Sequence, residues 1–366
     1  MVEWKRIKDV FETRIGYTPS TKNDSFWTGG IIPWFKMDDI RENGSVLNDS
    51  NLHITKKAIK GKGLFKANSI ILATSATIGE HALITVDHLC NQRFTNFFPQ
   101  KEFEEMVDMK YVYYYMFKVD EWCKQHTHQG GFASVDMEGL YKLRIPIPSL
   151  SEQKRIVGIL DTFTDSIENL KQQIAQRRKQ YEHYREKLLD LEGKEGVEMK
   201  KLGEVAKKIS SGKNKSKETE GQYPVFGSTG IIAFTDDYVF DKPLILVARV
   251  GANAGYVHLS YGKYDVTDNT LIIDLLECVN QKYIYYNLIK EKINKYAKGG
   301  GQPLITSSIL KDIIIPVPPL SEQSRIVSIL DTFEASISNL EAQLEQRQKQ
   351  YEYYRNKLLT FEKEEQ

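Results

Sequence analysis

Apolar side chains recur at alternating spacings of four and three residues along two separate stretches of the chain. A 3.5-residue repeat sustained over about five heptads predicts a coiled-coil helix rather than an ordinary surface helix. At 1.5 Å per residue, such a seam is roughly 54 Å long. The apolar positions of the first stretch are Ile156, Leu160, Phe163, Ile167, Leu170, Ile174, Tyr181, Tyr184, Leu188 and Leu191. Those of the second are Ile326, Leu330, Phe333, Ile337, Leu340, Leu344, Tyr351, Tyr354, Leu358 and Phe361.

Both helical stretches have a recognisable start. Each follows a proline-bearing segment that cannot be helical, at residues 146–148 and 316–319. Ser151 and Ser321 then stand as expected N-caps ahead of a Glu-Gln pair. The pattern therefore predicts that each long helix begins directly after its prolines.

The two helical stretches are copies of one another. Residues 145–192 and 315–362 align without a gap at an offset of 170 residues, and 32 of their 48 positions are identical. The segments ahead of the copies correspond more faintly, as residues 3–10 and 198–205 show. Because a fixed-offset repeat marks a repeated architecture, the chain is predicted to alternate variable unit, constant helix, variable unit and constant helix.

The sequence alone does not decide which helix each long helix pairs with. A second copy of the chain could pair with it, but a tethered partner in the same chain is favoured by its high effective concentration. Antiparallel pairing would place the variable units at opposite ends of a rod. Arg177 and Arg347 are the one charged seam position in each copy. An arginine there either fixes the helix register or extends its charge to solvent.

The variable units read as mixed and β-rich. Residues 69–73 of the first unit and 243–247 of the second are apolar runs typical of buried strands, and 270–273 follow as another strand. In each unit a helix with clustered tyrosines then leads to a glycine-rich loop, at Gly130-Gly131 and at Gly299-Gly300-Gly301.

Composition narrows the class of protein. A length of 366 residues suggests two or three domains, and 27% charged with 41% hydrophobic residues is typical of globular chains. Three scattered cysteines argue against a disulfide scaffold and for a reducing cytoplasm. No signal peptide or membrane-spanning run is recognisable. The net charge of +1 at first disfavours a nucleic-acid binder.

Local charge changes that view. Residues 196–315 carry a net charge of +3, which the net −3 of residues 316–366 offsets. Lysines cluster on glycine-bearing loops in both units, where they suit phosphate backbones, and nearby Gln, Arg and Asn side chains could read base edges. The alternative for any single lysine is a solvated loop. The candidate DNA-binding residues are Lys56, Lys57, Lys60, Lys62, Gln92, Arg93, Gln129, Lys213, Lys215, Lys217, Arg249, Asn253, Lys298 and Gln302.

Standard catalytic motifs are missing from the sequence. It contains no phosphate-binding P-loop, no nucleophile elbow, and no Asn/Asp-Pro-Pro-aromatic tetrapeptide of the kind adenine methyltransferases use. Cys123, His126 and His128 form the one ligand-like cluster, but their spacing fits no standard zinc pattern. We therefore expect polar residues at a helix end rather than a metal site, and no catalytic centre in this chain.

With these features in place, the sequence resembles the specificity (S) subunits of Type I restriction–modification systems over essentially its whole length. The most specific part is the doubled I-P-I/V-P-x-L-S-E-Q-x-R-I-V-x-I-L-D segment at 145–161 and 315–331. Residues 16–20, with Trp27-Thr28-Gly29-Gly30 and Ile32-Pro33-Trp34, resemble the family's G-x-T-P-S…W-x-G-G…P-W signature. Residues 223–230 of the second unit stand in its place.

The two units differ at the glycine-rich loop. The second has Gln302 after its glycines, whereas the first has Phe132 there, so position 132 need not contact DNA in the same manner. We expect the signature residues Pro19, Trp27, Pro33 and Trp34 to frame the fold rather than to contact bases.

The resemblance implies an α+β fold: two mixed, β-rich target recognition domains joined by two long antiparallel coiled-coil helices, an internal pseudo-two-fold repeat. The domains would be residues 1–145, 146–195, 196–315 and 316–366. Each recognition domain would read one half of a bipartite, asymmetric DNA site. The helices would set the spacer between the halves and dock methyltransferase (M) subunits through Leu160, Phe163, Ile167, Leu170, Arg177, Tyr181, Leu330, Phe333, Ile337, Leu340, Arg347 and Tyr351.

The resemblance also implies a division of labour between subunits. Two M subunits would methylate adenine with S-adenosylmethionine, restriction (R) subunits would use ATP and Mg²⁺, and this chain would bind no cofactor itself. The competing hypothesis is a stand-alone coiled-coil scaffold that self-associates without reading DNA.

Overall fold

The computed structural model describes residues 2–128, 133–215, 217–299 and 301–362. The chain divides into two compact units. Unit 1 comprises residues 1–168 and 345–366, and unit 2 comprises residues 169–344. Each unit therefore contains one variable region, part of the first long helix and the opposite part of the second. The predicted α+β class and internal repeat are confirmed.

The elements of the first half of the chain alternate short strands with helices. They are β1 (Glu3–Arg6), α1 (Ile7–Val10), β2 (Phe11–Ile15), β3 (Ile32–Phe35), α2 (Met37–Asn43), β4 (Val46–Leu47), β5 (His53–Ile54), β6 (Ser69–Ala73), β7 (His81–Ile84), β8 (Leu89–Cys90), β9 (Phe94–Pro99), α3 (Met109–Gln125), β10 (Thr127–His128), β11 (Ser134–Val135), α4 (Met137–Lys142), β12 (Arg144–Ile147) and α5 (Leu150–Leu188).

The second half repeats much of this order. Its elements are β13 (Glu198–Lys201), α6 (Leu202–Val205), β14 (Ala206–Ser211), β15 (Tyr223–Gly227), β16 (Gly230–Thr235), β17 (Phe240–Asp241), β18 (Leu244–Ala248), β19 (Val257–Ser260), β20 (Lys263–Val266), β21 (Thr270–Leu275), α7 (Gln281–Glu291), α8 (Ser307–Asp312), β22 (Ile314–Val317) and α9 (Leu320–Leu358).

Two sheets and one helix build the core of each unit. Unit 1 has a five-stranded sheet in the order β2-β9-β6-β7-β4 and a three-stranded sheet β5-β3-β8, with α3 against β6 and β7. Unit 2 has the sheets β14-β21-β18-β19 and β16-β15-β20-β17, with α7 against β18 and β19. The shared order places β2, β9, β6 and β7 in correspondence with β14, β21, β18 and β19.

The central strands β6 and β18 are buried on both faces, which explains their continuous apolar sequence. Ile70 and Leu72 point into the core that includes α3, whereas Ile71 and Ala73 point into the core around the smaller sheet. Unit 2 repeats the alternation, with Ile245 and Val247 on the helix side. Side chains alternate faces along a strand, so each central strand joins two cores.

The two long helices begin two residues earlier than the expected serine caps allow, at Leu150 and Leu320. Both have 39 residues, and Ser151 and Ser321 lie inside the first turn rather than ahead of it. The expectation that these serines are N-caps is therefore wrong. In α5 the hydroxyl of Ser149 instead accepts the backbone N–H of Glu152 at 3.4 Å. Pro148 and Pro318 directly follow strands β12 and β22, and the helices begin two residues after them.

The glutamines of the repeated Glu-Gln pair anchor each helix start to its unit. Gln153 is fully buried; its amide donates to the carbonyl of Pro148 at 2.8 Å and accepts the backbone N–H of Asp108 at 2.8 Å. Gln323 makes the same contacts with Pro318 and Asn280. A buried amide needs such partners. The hydrogen bonds of each glutamine therefore fix the angle at which its helix meets the core of the unit.

Within each unit the two long helices run antiparallel. In unit 1, Phe163 from the first half of α5 stacks on Tyr354 from the second half of α9, with ring centroids 5.3 Å apart. In unit 2, Tyr184 from the second half of α5 stacks on Phe333 from the first half of α9, also at 5.3 Å. Pairing within the chain, one of the two alternatives, is therefore confirmed.

Candidate nucleic-acid interface

In unit 2, loops from several elements meet at one end of the four-stranded sheet. Strands β14 and β18 end there, and β21 begins there, because β21 is antiparallel to both. We call the described residues of segments 212–217, 249–253, 267–269 and 298–304 the strand-end surface of unit 2. Six candidate DNA-binding residues lie on it and are exposed: Lys213, Lys215, Lys217, Asn253, Lys298 and Gln302.

Backbone hydrogen bonds hold the strand-end surface of unit 2 together. Lys213 donates its backbone N–H to the carbonyl of Val266 at 2.9 Å. Lys298 and Leu304 exchange two backbone hydrogen bonds, of 3.0 and 2.9 Å, which close the glycine-rich loop. Arg249 donates its backbone N–H to Asn269 at 2.9 Å. The loops carrying the candidate side chains are thus tied to a rigid sheet, as a reading surface requires.

Arg249 is the one candidate of unit 2 that is partly buried. Its guanidinium donates to the backbone carbonyl of Asp268 at 3.4 Å. Asp268 and Asn269 are themselves exposed on the turn that enters β21. Sequence reasoning missed both residues, because only the strand register shows that this turn adjoins Arg249.

Unit 1 presents a corresponding strand-end surface, formed by segments 16–20, 74–79, 91–93 and 133–135. Gln92 and Arg93 are exposed on the turn entering β9. The Thr18 hydroxyl donates to the side-chain oxygen of Gln92 at 2.6 Å. The candidate Gln129 lies outside the described residues, as does Phe132.

The lysine loop of unit 1 is joined to this surface through one tyrosine. The Tyr17 hydroxyl donates to the carbonyl of Ala58 at 3.1 Å and accepts the backbone N–H of Lys60 at 2.9 Å. The four candidate lysines of this loop, Lys56, Lys57, Lys60 and Lys62, are exposed. The structure therefore brings them beside the segment that carries Thr18.

The two strand-end surfaces share one backbone frame. In unit 1, Thr74 donates its N–H to Arg93 at 2.9 Å and accepts the N–H of Val135 at 2.9 Å. In unit 2, Arg249 donates to Asn269 at 2.9 Å and accepts from Ile305 at 2.8 Å. Thr74 thus corresponds to Arg249, and Arg93 to Asn269. The backbone frame is kept while the side chains on it differ, and of these Arg93 and Asn269 are exposed.

A close backbone approach accounts for one glycine in each frame. A Cβ atom on Gly16 would lie 2.3 Å from the carbonyl oxygen of Asn91, and one on Gly212 would lie 2.1 Å from that of Val266. The backbone N–H of Gly16 donates to the carbonyl of Phe94, and that of Gly212 donates to the carbonyl of Thr270. Each glycine directly follows the equivalent strand, β2 or β14. Residues from Gly212 onward are therefore the counterpart of the G-x-T-P-S segment.

This correspondence corrects the placement of residues 223–230. Strand β3 pairs in parallel with β8, with Phe35 opposite Cys90, and β15 pairs in parallel with β20, with Phe226 opposite Val266. The segment at 223–227 therefore replaces the Ile32-Pro33-Trp34 part of the signature, and not all of it.

The signature tryptophans frame unit 1, as expected. Trp34 is buried and donates its indole N–H to the carbonyl of Tyr17 at 3.0 Å. Trp27 packs edge-on against it at 5.2 Å and donates to Ser20 at 3.1 Å. The hydrogen bonds of both indoles hold the 16–20 segment in place.

The helix-facing end of each unit carries a second repeated set of polar contacts. The hydroxyl of Tyr114 donates to Asp161 at 2.6 Å, and that of Tyr286 donates to Asp331 at 2.6 Å. Burial, followed by the adjacent carboxylate, raises the pKa of both phenols above the ordinary range. Neutral tyrosines therefore link α3 to α5 and α7 to α9.

The seam side chains hold the helices to each other and to the cores. Leu160 and Leu330 are fully buried, and Leu170 is buried. The other residues predicted for the spacer and docking set are half-buried: Phe163, Ile167, Arg177, Tyr181, Phe333, Ile337, Leu340, Arg347 and Tyr351. Their packing accounts for a structural role, and their contact with a partner subunit stays a prediction.

The ligand-like cluster has ordinary structural contacts in the described ranges. Cys123 is buried, and His126 stacks on Trp122 with centroids 4.2 Å apart. His128 lies 3.7 Å from a carboxylate oxygen of Asp136. Among the described residues, no three His, Cys, Asp or Glu side chains come together as metal ligands.

None of the described helices combines the length and apolar character that crossing a membrane requires.

Comparison with known proteins adds the family. A family model described as "Type I restriction modification DNA specificity domain" matches residues 1–177 and 194–348. The chain is 38% identical over 362 residues to the Type I restriction enzyme EcoprrI specificity subunit of Escherichia coli, covering 93% of this chain and 89% of that protein. It is 33% identical to the EcoR124I/EcoR124II specificity subunit of the same species, covering 70% and 72%.

Solved structures share the fold. The crystal structure of a Type I restriction–modification S subunit from M. genitalium matches with a TM-score of 0.64 and 17% identity, covering 99% of this chain and 97% of that one. A structure from work on assembly and conformational transition of the type I R-M system matches with a TM-score of 0.62 and 18% identity, covering 98% and 96%.

Proposed function

Because the chain belongs to the family of Type I restriction–modification specificity subunits, we propose that each unit reads one half of a bipartite DNA site through its strand-end surface. The observation behind the proposal is a shared backbone frame that carries different side chains in the two units, of which Arg93 and Asn269 are exposed. Thr74 and Arg93 occupy in unit 1 the positions of Arg249 and Asn269 in unit 2. Arg presents two donors, and Asn or Gln presents one donor and one acceptor, which are the pairings that distinguish base edges in the major groove. Since the two sets differ, the site read is asymmetric.

Lysines on the two surfaces would position the protein without reading sequence. Exposed lysines neutralise phosphates, and this term depends on salt but not on base identity. Lys213, Lys215 and Lys217 in unit 2 would act in this way, as would the Lys56–Lys62 loop in unit 1.

The long helices would set the unread spacer and dock the methyltransferase subunits. The repeated Gln, Tyr and Asp contacts fix each helix to its unit, so helix length would determine the separation of the half-sites. In this proposal two M subunits bind S-adenosylmethionine and methylate adenine, and R subunits use ATP and Mg²⁺. The chain itself binds no cofactor and performs no catalytic step, and the complex acts in the cytoplasm.

Exchange of one recognition unit tests this division directly. Residues 196–315 are replaced by the corresponding segment of a relative with a known half-site, and the methylated motif of the host genome is sequenced. We expect one half-site to change and the other to persist, with the spacer kept. A change in both halves would contradict independent reading.

The mass of the purified chain, alone and with candidate M subunits, separates this function from the scaffold hypothesis. A specificity subunit forms a complex with M and binds DNA in a salt-dependent manner. A stable homodimer that ignores M and shows no such binding would favour the scaffold.

A further inference from the structure

The turn of the β15–β16 hairpin and the strand residues beside it, residues 227–232, adjoin the strand-end surface of unit 2. We call these residues the hairpin tip. The backbone N–H of Thr267 donates to the carbonyl of Phe226 at 2.9 Å. On its other side Thr267 is bridged to Asn214, next to Lys213 and Lys215. The hairpin tip therefore extends the lysine-bearing surface by one more segment.

The hairpin tip exposes two adjacent isoleucines. Ile231 is 54% exposed and Ile232 is 47% exposed. Phe226 pairs with Ile231 and Val225 with Ala233, so Ile232 is the extra residue of a β-bulge. Strand β16 is the edge of its sheet, and residues 223–235 include no charged side chain. An apolar edge without charges invites aggregation unless a partner covers it.

Charge around the hairpin is divided between its two ends. Lys213 and Lys215 flank the tip through the Thr267 contacts. At the opposite end, Glu218 accepts the backbone N–H of Phe234, and Asp236 follows the strand. A polyanion would be attracted to the tip and repelled from the other end.

Unit 1 has a different element at this position. The backbone N–H of Asn91 donates to Phe35 at 3.0 Å, as that of Thr267 does to Phe226. After Phe35, however, the chain forms helix α2, with Asp38 exposed in its first turn, and no hairpin. The apolar tip is therefore a property of unit 2 alone.

We propose that the hairpin tip of unit 2 enters a groove of its DNA half-site, where Ile231 and Ile232 contact base edges or a base step. The inference rests on the proposed function and deepens it, since it adds apolar readout to the polar residues. Apolar side chains read the thymine methyl group in the major groove, or wedge into flexible steps from the minor groove. The flanking lysines favour DNA, rather than a protein surface, as the partner that the hairpin tip contacts.

Binding by the S–M complex tests the role of the two isoleucines. The Ile231→Ser/Ile232→Ser variant is compared with wild type on DNA carrying the full site and on DNA with the second half-site scrambled. We expect about tenfold weaker binding to the full site, equivalent to about 1.4 kcal/mol, and a matching loss of discrimination against the scrambled site. The salt slope should not change, because no charge is removed.

Two further variants keep the test decisive. Ile231→Val/Ile232→Val retains apolar contact and should bind within about twofold of wild type. Ile314→Ser alters a similarly exposed isoleucine, 58% accessible, on β22, where it pairs with Lys201 of β13 outside the strand-end surface, and should leave DNA binding unchanged.

Each remaining outcome decides a different question. Equal binding and discrimination by wild type and the serine variant would overturn the inference alone. Loss of M from the complex with that variant, seen by mass, would assign the tip to protein docking and also overturn it. A wild-type complex that fails to discriminate the two DNAs would refute the proposed function itself.

Discussion

Units 1 and 2 are alike where they meet the long helices and different where their strands end. At the helix side, Tyr111 donates to the carbonyl of Pro146 at 3.0 Å, and Tyr283 donates to that of Pro316 at 2.8 Å. Lys118 and Lys290 donate to the carbonyls of Leu359 and Leu189, respectively. A repeated contact set at one end leaves the other end free to vary without changing how a unit joins its helices.

The side chains near the ends of β2 and β14 show how much the two units differ at matching positions. In unit 1, Arg14 donates to the carbonyl of Gly63 at 2.7 Å and lies 4.4 Å over the ring of Phe65. Ser210 holds the corresponding place in unit 2, where a cavity of about 510 Å³ opens between β14 and Phe240. The backbone frame tolerates both, because backbone hydrogen bonds rather than these side chains define it.

A buried ion pair in unit 1 is the sharpest test of unit independence. His81 donates to Asp120 at 2.6 Å and to the carbonyl of Tyr113 at 2.9 Å, and both side chains are buried. Asp120→Ala would leave the imidazole without its anionic partner and should lower the free energy of unfolding of unit 1 by about 3 kcal/mol. Hydrogen exchange resolved along the chain should show the loss in unit 1 only.

The matched control for this variant lies in unit 2. Counted from the matched residues Tyr114 and Tyr286, Lys292 directly after α7 is the counterpart of Asp120, and Val257 replaces His81 by strand register. Lys292→Gln, at an exposed site, should change stability by no more than about 0.5 kcal/mol. If Asp120→Ala raised the hydrogen-exchange rates of both units by the same factor, the two units would unfold as one.

The lysines of unit 2 should matter for DNA affinity and not for sequence preference. Replacing Lys213, Lys215 and Lys217 with alanine should weaken binding about 30-fold, which is about 2 kcal/mol. The slope of log affinity against log salt should fall by about 2.7, since each lost phosphate contact contributes about 0.9. Titrations at several salt concentrations on cognate and scrambled DNA measure both quantities.

An equal charge change elsewhere in unit 2 separates position from net charge. The variant Lys200→Ala/Lys201→Ala/Lys311→Ala removes three lysines from β13 and α8, outside the strand-end surface. It should leave the salt slope nearly intact. Binding that does not change on loss of Lys213, Lys215 and Lys217 would identify them as solvated charge.

Periodic features could be predicted from the sequence, whereas contacts across the strands could not. The helix seams and the buried runs at β6 and β18 have apolar repeats that only one secondary structure satisfies. Asn269 lies beside Arg249 because of the strand register, and no local sequence pattern encodes that register. A signal was present at Gly212, since a glycine follows both β2 and β14, but residues 16–20 and 212–216 otherwise share only Ser20 and Ser216.

The helix caps were misjudged for a local reason. A serine before Glu-Gln is a common capping pattern, yet the buried amides of Gln153 and Gln323 satisfy the carbonyls of Pro148 and Pro318 instead. Burial of the glutamine cannot be read from its neighbours in the sequence. Only the repeat of the pair at an offset of 170 residues marks it as structural.

Acid should destabilise unit 1 through one buried histidine. Burial lowers the pKa of His88 to about 4. Its ring donates to the carbonyl of Val86 at 2.9 Å, and Nε2 faces the amide of Asn96. The unfolded chain, with a pKa near 6.5, binds the proton more readily, so stability is complete above pH 6.5 and is lost as the pH falls toward 4. At pH 5.5 the loss is about 1.4 kcal/mol.

Substitution isolates the contribution of His88. Urea unfolding of His88→Gln at pH 7.5 and 5.5 should show a smaller difference between the two pH values than wild type does. Tyr264 occupies the corresponding position in unit 2 and does not titrate in this range, although burial also lowers the pKa of His258 there. If the variant kept the wild-type pH dependence, His88 would bind its proton as readily in the folded protein as in the unfolded chain.

The smallest predicted effect distinguishes the two roles open to the seam arginines. The guanidinium of Arg177 lies 5.8 Å from the ring centroid of Phe333, and that of Arg347 lies 5.8 Å from Phe163. These half-exposed cation–π contacts should each contribute about 0.5 kcal/mol, so thermal unfolding of Arg177→Gln and Arg347→Gln should show equal and small losses. Replacing both with leucine then tests register. If the arginines only cover a ring, the mass and helical content of that variant match wild type. If they fix register, it forms species with altered mass, because an all-apolar seam permits alternative pairings.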